Sequence, residues 1–368
     1  VTRGLELNEV ERLTAVVYGD TFALYDEPAF DEFLAPLYRR LRANNIDLSV
    51  FRGKTCLDAG CGGGRGSVLM AQSGAERVIG VDLSPVNVES ARKRAAQKGC
   101  ANVSFEQHSL AALPFKDETF DVVWCNGVLH HSEHPDVGLL EITRVLKTGG
   151  HLWLYLYGSG GIYWHVVDWI RDILADVDVR RCIYTLRLMG TPVRRIGEWI
   201  DDWFVPHLRR YTVADVTSRL DELGYEDTAV LRFGVEYDTS HRRVNADPGE
   251  KALMGDGDVR HFCRKSGRPT GHRHALPDPP DGKGSPYVDD EVVMHFDEAL
   301  ARIAQVLNDL FARRPKECDV YRILVCRSVH SHVRSLLESK SRFDTTSLSQ
   351  HLSDLEVVLQ GVAGTLTR

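Results

Sequence analysis

The spacing of apolar residues changes along this chain, and each change predicts a different kind of structure. Over residues 8–45 apolar positions recur at helical intervals: Val10, Leu13 and Val17, then Phe30, Phe33, Leu34, Leu37 and Leu41. From Lys54 the rhythm becomes short apolar runs separated by helix-like stretches. The runs are KTCLDAG, RVIGVDL, VSFEQHS, FDVVWCN and GGHLWLYLY, with helices predicted over 65–73, 85–98 and 135–146. Strands that alternate with helices predict a parallel sheet covered on both faces.

After Tyr157 the alternation stops. The segment 158–210 is rich in arginine and aromatic residues, and is too long for an ordinary connection without structure of its own. TVADVTSRLDELGYED then predicts a capped helix ending at Gly224, with TAVLRFGVEY and VRHFCRK as two further strands. Residues 266–288 are Pro/Gly-rich and predict a linker. Beyond them, 289–314 has a well-formed apolar stripe (Val292, Val293, Phe296, Leu300, Ile303, Leu307), and two more helices are expected before the end. The expected organisation is a helical pocket cover over 1–50, a central domain over 51–265 with a lid insertion at 158–210, the linker, and a helical C-terminal extension over 289–368.

Composition narrows the chemistry. A formal charge of −7 argues against wholesale nucleic-acid binding. The eight cysteines include no C-x-x-C pair, which suits reduced thiols in a cytoplasm better than a disulfide framework. The longest apolar run, His151 to Tyr157, falls far short of the ~20 residues needed to cross a bilayer. The opening VTRGLELNEVERL lacks a basic stub followed by an apolar block, so a cytoplasmic chain with no membrane partner is expected.

The chemistry concentrates in TCLDAGCGGGRGSVLM, where glycines cluster at a strand-to-helix turn. Fixing glycine costs roughly 0.5–1 kcal/mol relative to alanine in a regular element, so such a cluster implies close approach of a ligand to the backbone. An open parallel sheet binds its ligand outside the carboxyl ends of its strands, which makes a nucleotide-like cofactor the default. A dinucleotide fingerprint, G-x-G-x-x-G, does not fit: counted from Gly60 the sixth position is Arg65, and from Gly62 it is Ser67.

What fits is D-x-G-x-G-x-G, as Asp58, Gly60, Gly62 and Gly64. With Asp82 in VIGVDLSP, and with LPFKDETFDVVWCNGVLHH and LLEITRVLKTGGHLWLYLYG, these blocks resemble the class I S-adenosylmethionine-dependent methyltransferases, in the branch related to ubiquinone/menaquinone methyltransferases (type 11). The resemblance is strong over 55–157 and loose over 211–265. It implies a Rossmann-like α/β fold with a seven-stranded, mostly parallel sheet, and S-adenosylmethionine as cofactor. It further implies cofactor contacts at Asp58, Gly60, Cys61, Gly62, Gly64, Asp82, Leu83, Ser109, Leu110 and Asn126. Asp58 suits the cationic end of that cofactor, and Asp82, with both oxygens open, suits a ribose diol. Where the family commonly places an acid before the LPF block to contact the adenine amine, this chain has Ser109 and Leu110, and the serine oxygen is expected to accept that hydrogen bond instead.

The acceptor pocket implied by the resemblance draws on 8–45, the loop NGVLHHSEHP and 158–210. His131 is the expected base, with Tyr157 and His165 as further catalytic candidates. His130, His134, Tyr163, Trp164, Arg194, Arg195, Trp199 and Trp203 are the expected acceptor contacts. Three histidines beside Glu133 have metal-ligand character, but paired histidines at this point occur in the family without metal, and none is expected here. Arginine beside tryptophan suits a flat or anionic small molecule, such as a specialised metabolite, lipid or quinone-like compound. The alternatives are nucleic-acid or protein methylation, and a cofactor-binding role without transfer. Against DNA methylation, NGVL replaces the D/N/S-P-P-Y/F tetrad of amino-directed enzymes, and no Pro-Cys pair follows the fourth strand. The C-terminal helices are expected to pack on the core, form a homo-oligomer contact or hold a partner.

Overall fold

The structure, a computed structural model, describes residues 8–231, 248–267, 287–313, 318–338 and 345–366. Seven strands, β1 (Thr55–Ala59), β2 (Arg77–Asp82), β3 (Val103–Gln107), β4 (Phe120–Asn126), β5 (Leu146–Tyr157), β6 (Tyr225–Val230) and β7 (Asp258–Lys265), form one sheet in the order β3-β2-β1-β4-β5-β7-β6. β1 to β5 run parallel, and β7 lies antiparallel to both β5 and β6. The Rossmann-like α/β expectation is met.

The period-2 alternation explains both faces. Leu57, Ala59, Val123, Cys125, Leu152, Leu154, Val259 and Cys263 form one core with the helices Pro135–Val145 and Val213–Glu222. Cys56, Val122, Trp124, Trp153 and Phe262 point the other way and pack with Phe30, Leu34, Leu37 and Leu41 of the helix Glu27–Ala43. On that side Trp124 and Trp153, paired across β4 and β5, stack at 4.3 Å. Strand order reverses between β1 and β4, so the switch-point crevice opens beside the glycine turn.

Two compact units result: Val1–Gly158, Val205–Val244 and Asp256–Pro280 in the first, and Ser159–Phe204, Asn245–Gly255 and Asp281–Arg368 in the second. The first holds the sheet and the helices Glu9–Phe22 and Glu27–Ala43. The second is helical: Ile162–Ile173, Val179–Leu188, Val193–Phe204, Pro248–Met254, Asp290–Arg313, Cys318–Glu338 and Thr345–Leu366. The post-β5 insertion and the C-terminal helices thus share one unit, tied by Trp169 Nε1 donating to the Leu300 carbonyl at 3.0 Å.

Two local expectations change. β6 starts at Tyr225 rather than Thr228, because the helix ends at Glu222 and Gly224, at φ 82°, turns the chain at once. The rest of that expected strand, 232–237, and most of the expected linker lie outside the described residues. The helix Pro248–Met254 carries no long apolar period and was not anticipated. Among the described residues no helix is long and apolar enough to cross a membrane.

Candidate cofactor and acceptor site

At the end of β1 the chain needs bare backbone for definite reasons. A Cβ at Gly60 (φ +78°) would lie 2.5 Å from both Val128 methyls, and one at Gly62 (φ +50°) would lie 2.8 Å from the Phe22 ring. Either substitution would also impose a left-handed backbone on an L-residue. At Gly63, by contrast, a Cβ would meet nothing within 4 Å, so the turn has open space on that side. Gly64 (φ +87°) is the N-cap of Arg65–Gln72 and offers no side chain to its amides. One of those amides, Ser67 N, bonds the Asp58 carboxylate, and the partial positive charge of the helix N-terminus favours an anion such as a carboxylate.

Two carboxylates flank this cradle. Asp58 is 3% exposed, accepts from Ser67 Oγ at 2.7 Å, and is pushed by burial up to about 6. A buried carboxylate with that single side-chain donor is poised to gain from a cation. Asp82 is more heavily engaged than the open diol acceptor expected from sequence. Its Oδ1 accepts from Ser84 N (2.9 Å) and Asn87 Nδ2 (3.1 Å), and its Oδ2 from Gly62 N (2.8 Å). One acceptor position on Oδ2 is left for a ribose hydroxyl. Burial still raises the Asp82 pKa, with these donors opposing. Bare backbone, helix amides and two acids suit a sulfonium amino acid nucleoside, so the residues fit S-adenosylmethionine.

The remaining predicted cofactor contacts line the same end of the sheet. Cys61 is buried, and its thiol is held well above its ordinary pKa by burial. His108 N donates to the Asp82 carbonyl at 3.1 Å and Gln107 Nε2 to the Leu83 carbonyl at 2.9 Å, which sets the chain after β3 beside the β2 loop. Leu110 is buried there. Ser109 Oγ donates to Glu11 Oε1 at 2.8 Å and accepts from Ala111 N at 3.3 Å. Asn126 Oδ1 accepts from Trp153 Nε1 at 2.9 Å, which aims its amide.

The loop after β4 forms an aromatic and imidazole cluster. His130 is fully buried with its ring stacked on Tyr157 at 4.1 Å, and its pKa is driven well down by burial and by neighbouring His131. His131 Nδ1 lies 2.9 Å from the His207 carbonyl. That acceptor requires the proton on Nδ1, which leaves the lone pair on Nε2. Tyr18 approaches His131 edge-on at 5.5 Å, and Asn8 Nδ2 donates to Glu133 Oε2 at 2.8 Å. His134 serves as the N-cap position of Pro135–Val145.

The other acceptor candidates lie in the helical unit. Tyr163 Oη bonds both Asp202 and His330 Nε2, and Trp199 and Trp203 stack together at 5.3 Å with His330 at 5.4 Å from each. Trp164 packs edge-on to Tyr163. His165 Nδ1 lies 3.5 Å from Asp297. Arg194 and Arg195 both pair with Glu198, at 3.4 and 3.0 Å.

Sequence reasoning passed over Glu11, Phe22, Tyr155, Asp258, Arg260 and His330. Glu11 had a visible signal, since Asn8-x-x-Glu11 is a capping box. Tyr155 pairs with Arg260 across β5 and β7, with the guanidinium 4.3 Å above its ring, and donates to Asp258 at 2.7 Å. Only the antiparallel register brings those three together.

Residues 57–154 match the family described as Methyltransferase domain. The methyltransferase GfsG of Streptomyces halstedii is 34% identical over 133 residues, covering 36% of this chain and 48% of that protein. A ubiquinone biosynthesis O-methyltransferase of Cereibacter sphaeroides is 41% identical over 100 residues, covering 27% and 40%. A tRNA U34 carboxymethyltransferase of Shewanella baltica is 27% identical over 215 residues, covering 56% and 54%. The chain thus spans about half or less of these relatives' lengths. Glycine cradle, flanking acids, sheet order and family match agree: the chain carries a class I S-adenosylmethionine-dependent methyltransferase domain, and S-adenosylmethionine is its cofactor.

Proposed function

We propose that this protein methylates a small, flat, hydroxyl-bearing acceptor, with His131 as the general base. The observation that carries this reading is the His131 Nδ1 contact with the His207 carbonyl, which turns Nε2 into a proton acceptor beside aromatic walls from Tyr18, Tyr157 and His130. S-adenosylmethionine supplies an electrophilic methyl group on a sulfonium. The protein's part is to align the acceptor for in-line attack, keep water out and take the hydroxyl proton. Asp58 and the helix amides hold the amino acid end, Asp82 the ribose, and Asn126, fixed by Trp153, the edge next to the acceptor loop. The names of the relatives from Streptomyces and Cereibacter support a small-molecule acceptor. Cysteines 56, 61, 125, 182, 263 and 326, buried as free thiols, support a reducing cytoplasmic setting.

A tRNA acceptor is the competing reading suggested by the Shewanella relative, and the net charge of −7 weighs against it. The test offers radiolabelled S-adenosylmethionine with a panel of simple phenols and hydroquinones, and separately with bulk tRNA. Labelled phenolic ether is expected, and His131→Gln should lower kcat by about 10²–10⁴-fold with cofactor affinity unchanged. Label only in tRNA, or an unaltered rate in the variant, would end this reading.

A further inference from the structure

The first helix carries a carboxylate that no local motif assigns to the cofactor. Glu11 sits on Glu9–Phe22, and its Oε1 accepts a hydrogen bond from Ser109 Oγ, 98 residues away in the chain. Ser109 follows His108, whose amide is bonded to the carbonyl of Asp82, the acid at the ribose end of the cradle. Glu11 is therefore held next to the stretch that a purine joined to that ribose would face.

An adenine presents an exocyclic amine with two N–H donors, and a site that recognises it must supply an acceptor. Ser109 has little to give: its hydrogen goes to Glu11, and one lone pair takes Ala111 N. The Glu11 carboxylate has four lone-pair sites and uses two, one for Ser109 and one for Asn8 N at 3.2 Å. It is also charged, which makes it the stronger acceptor. Its position is held from both ends of the helix. Asn8 ties the start to Glu133, and near the other end Gly19 sits so close to Ser84 that a Cβ would be 3.2 Å from Oγ, while Phe22 lies on Gly62.

We infer that Glu11, positioned by Ser109, is the group that recognises the adenine amine of the cofactor. This rests on the cofactor assignment, and the experiment separates the two. Isothermal titration of the full chain uses S-adenosylhomocysteine and S-inosylhomocysteine, in which a carbonyl oxygen replaces the amine. The parent chain should prefer the adenosyl compound by about 10- to 100-fold, the scale of a charged hydrogen bond. Glu11→Gln keeps an oxygen for the helix cap and adds a donor that suits the carbonyl. It should weaken the adenosyl compound about 10-fold and leave the inosyl compound equal or tighter, so that the preference collapses. Glu11→Asp, a second variant that keeps the charge, should fall between.

Equal loss for both ligands in Glu11→Gln would show a merely structural helix and overturn the assignment. An unchanged ratio, or no preference in the parent chain, would overturn it as well. If the parent chain bound neither compound, the cofactor assignment itself would fall and this inference with it.

Discussion

Phe22 lies against Gly62 so closely that a single added methyl at the glycine would come within 2.8 Å of its ring. The ring is itself stacked with Tyr18 at 5.8 Å and faced by the Arg65 guanidinium at 5.7 Å, so it has little freedom to retreat. The first helix and the cofactor turn are therefore one packed object. Gly62→Ala should cost about 1–3 kcal/mol of stability from clash and left-handed strain, measured by urea unfolding. It should also abolish S-adenosylhomocysteine binding by titration calorimetry. A variant that binds normally would mean that the turn is more yielding than its packing indicates.

Asp58 makes cofactor affinity depend on pH. Its folded pKa, raised by burial to about 6, exceeds the ordinary value near 4, so the folded protein holds this proton longer than the unfolded chain. Its contribution to stability is fully present below about pH 4 and falls, on the order of 2–3 kcal/mol, as pH rises through about 6. The ammonium group of the bound amino acid end reverses that loss by stabilising the ionised form. Binding of S-adenosylhomocysteine should therefore tighten between pH 5 and about pH 7 with release of a proton, read as buffer-dependent heat in calorimetry. Asp58→Asn should bind more weakly with a flat profile over that range, and a steep profile in the variant would assign the proton to another group.

His330 couples the last helices to the insertion. It meets Tyr163 through a 2.8 Å hydrogen bond, and Tyr163 in turn bonds Asp202, whose pKa burial raises to about 7. His330→Ala should leave the Tyr163–Asp202 pair short of a partner and cost about 2–4 kcal/mol, including the cavity. Amide exchange should rise in 162–173 and 193–204, far from the substitution in sequence. Protection lost only around residue 330 would contradict a shared unit.

Glu198 gathers three cations, since Arg194, Arg195 and Arg334 lie 3.4, 3.0 and 3.7 Å from its carboxylate. Removing the shared acid should hurt more than removing one base: Glu198→Ala is expected to cost about 1–3 kcal/mol, against about 0.5 kcal/mol for Arg194→Ala. Thermal melts of the two variants decide it. Equal effects would point to arginines whose main partners lie elsewhere, as an anionic acceptor would require.

What the sequence determined by itself is local or nearly so. Alternation along β1 to β5 and the glycines after Asp58 were legible because strand faces and left-handed turns are set by a residue and its near neighbours. The helix Asp290–Arg313 was legible from its apolar stripe for the same reason, with two further helices expected after it. What that stripe packs against was not. Only the tertiary structure placed Glu11 on Ser109, joined His330 to Tyr163, set Arg260 over Tyr155 and committed all but one of the acceptor positions of Asp82 to Ser84, Asn87 and Gly62. Such pairings depend on which distant surfaces share a low-energy packing. A side chain's hydrogen-bonding valence shows that it needs a partner, and the folded chain alone decides which one it meets.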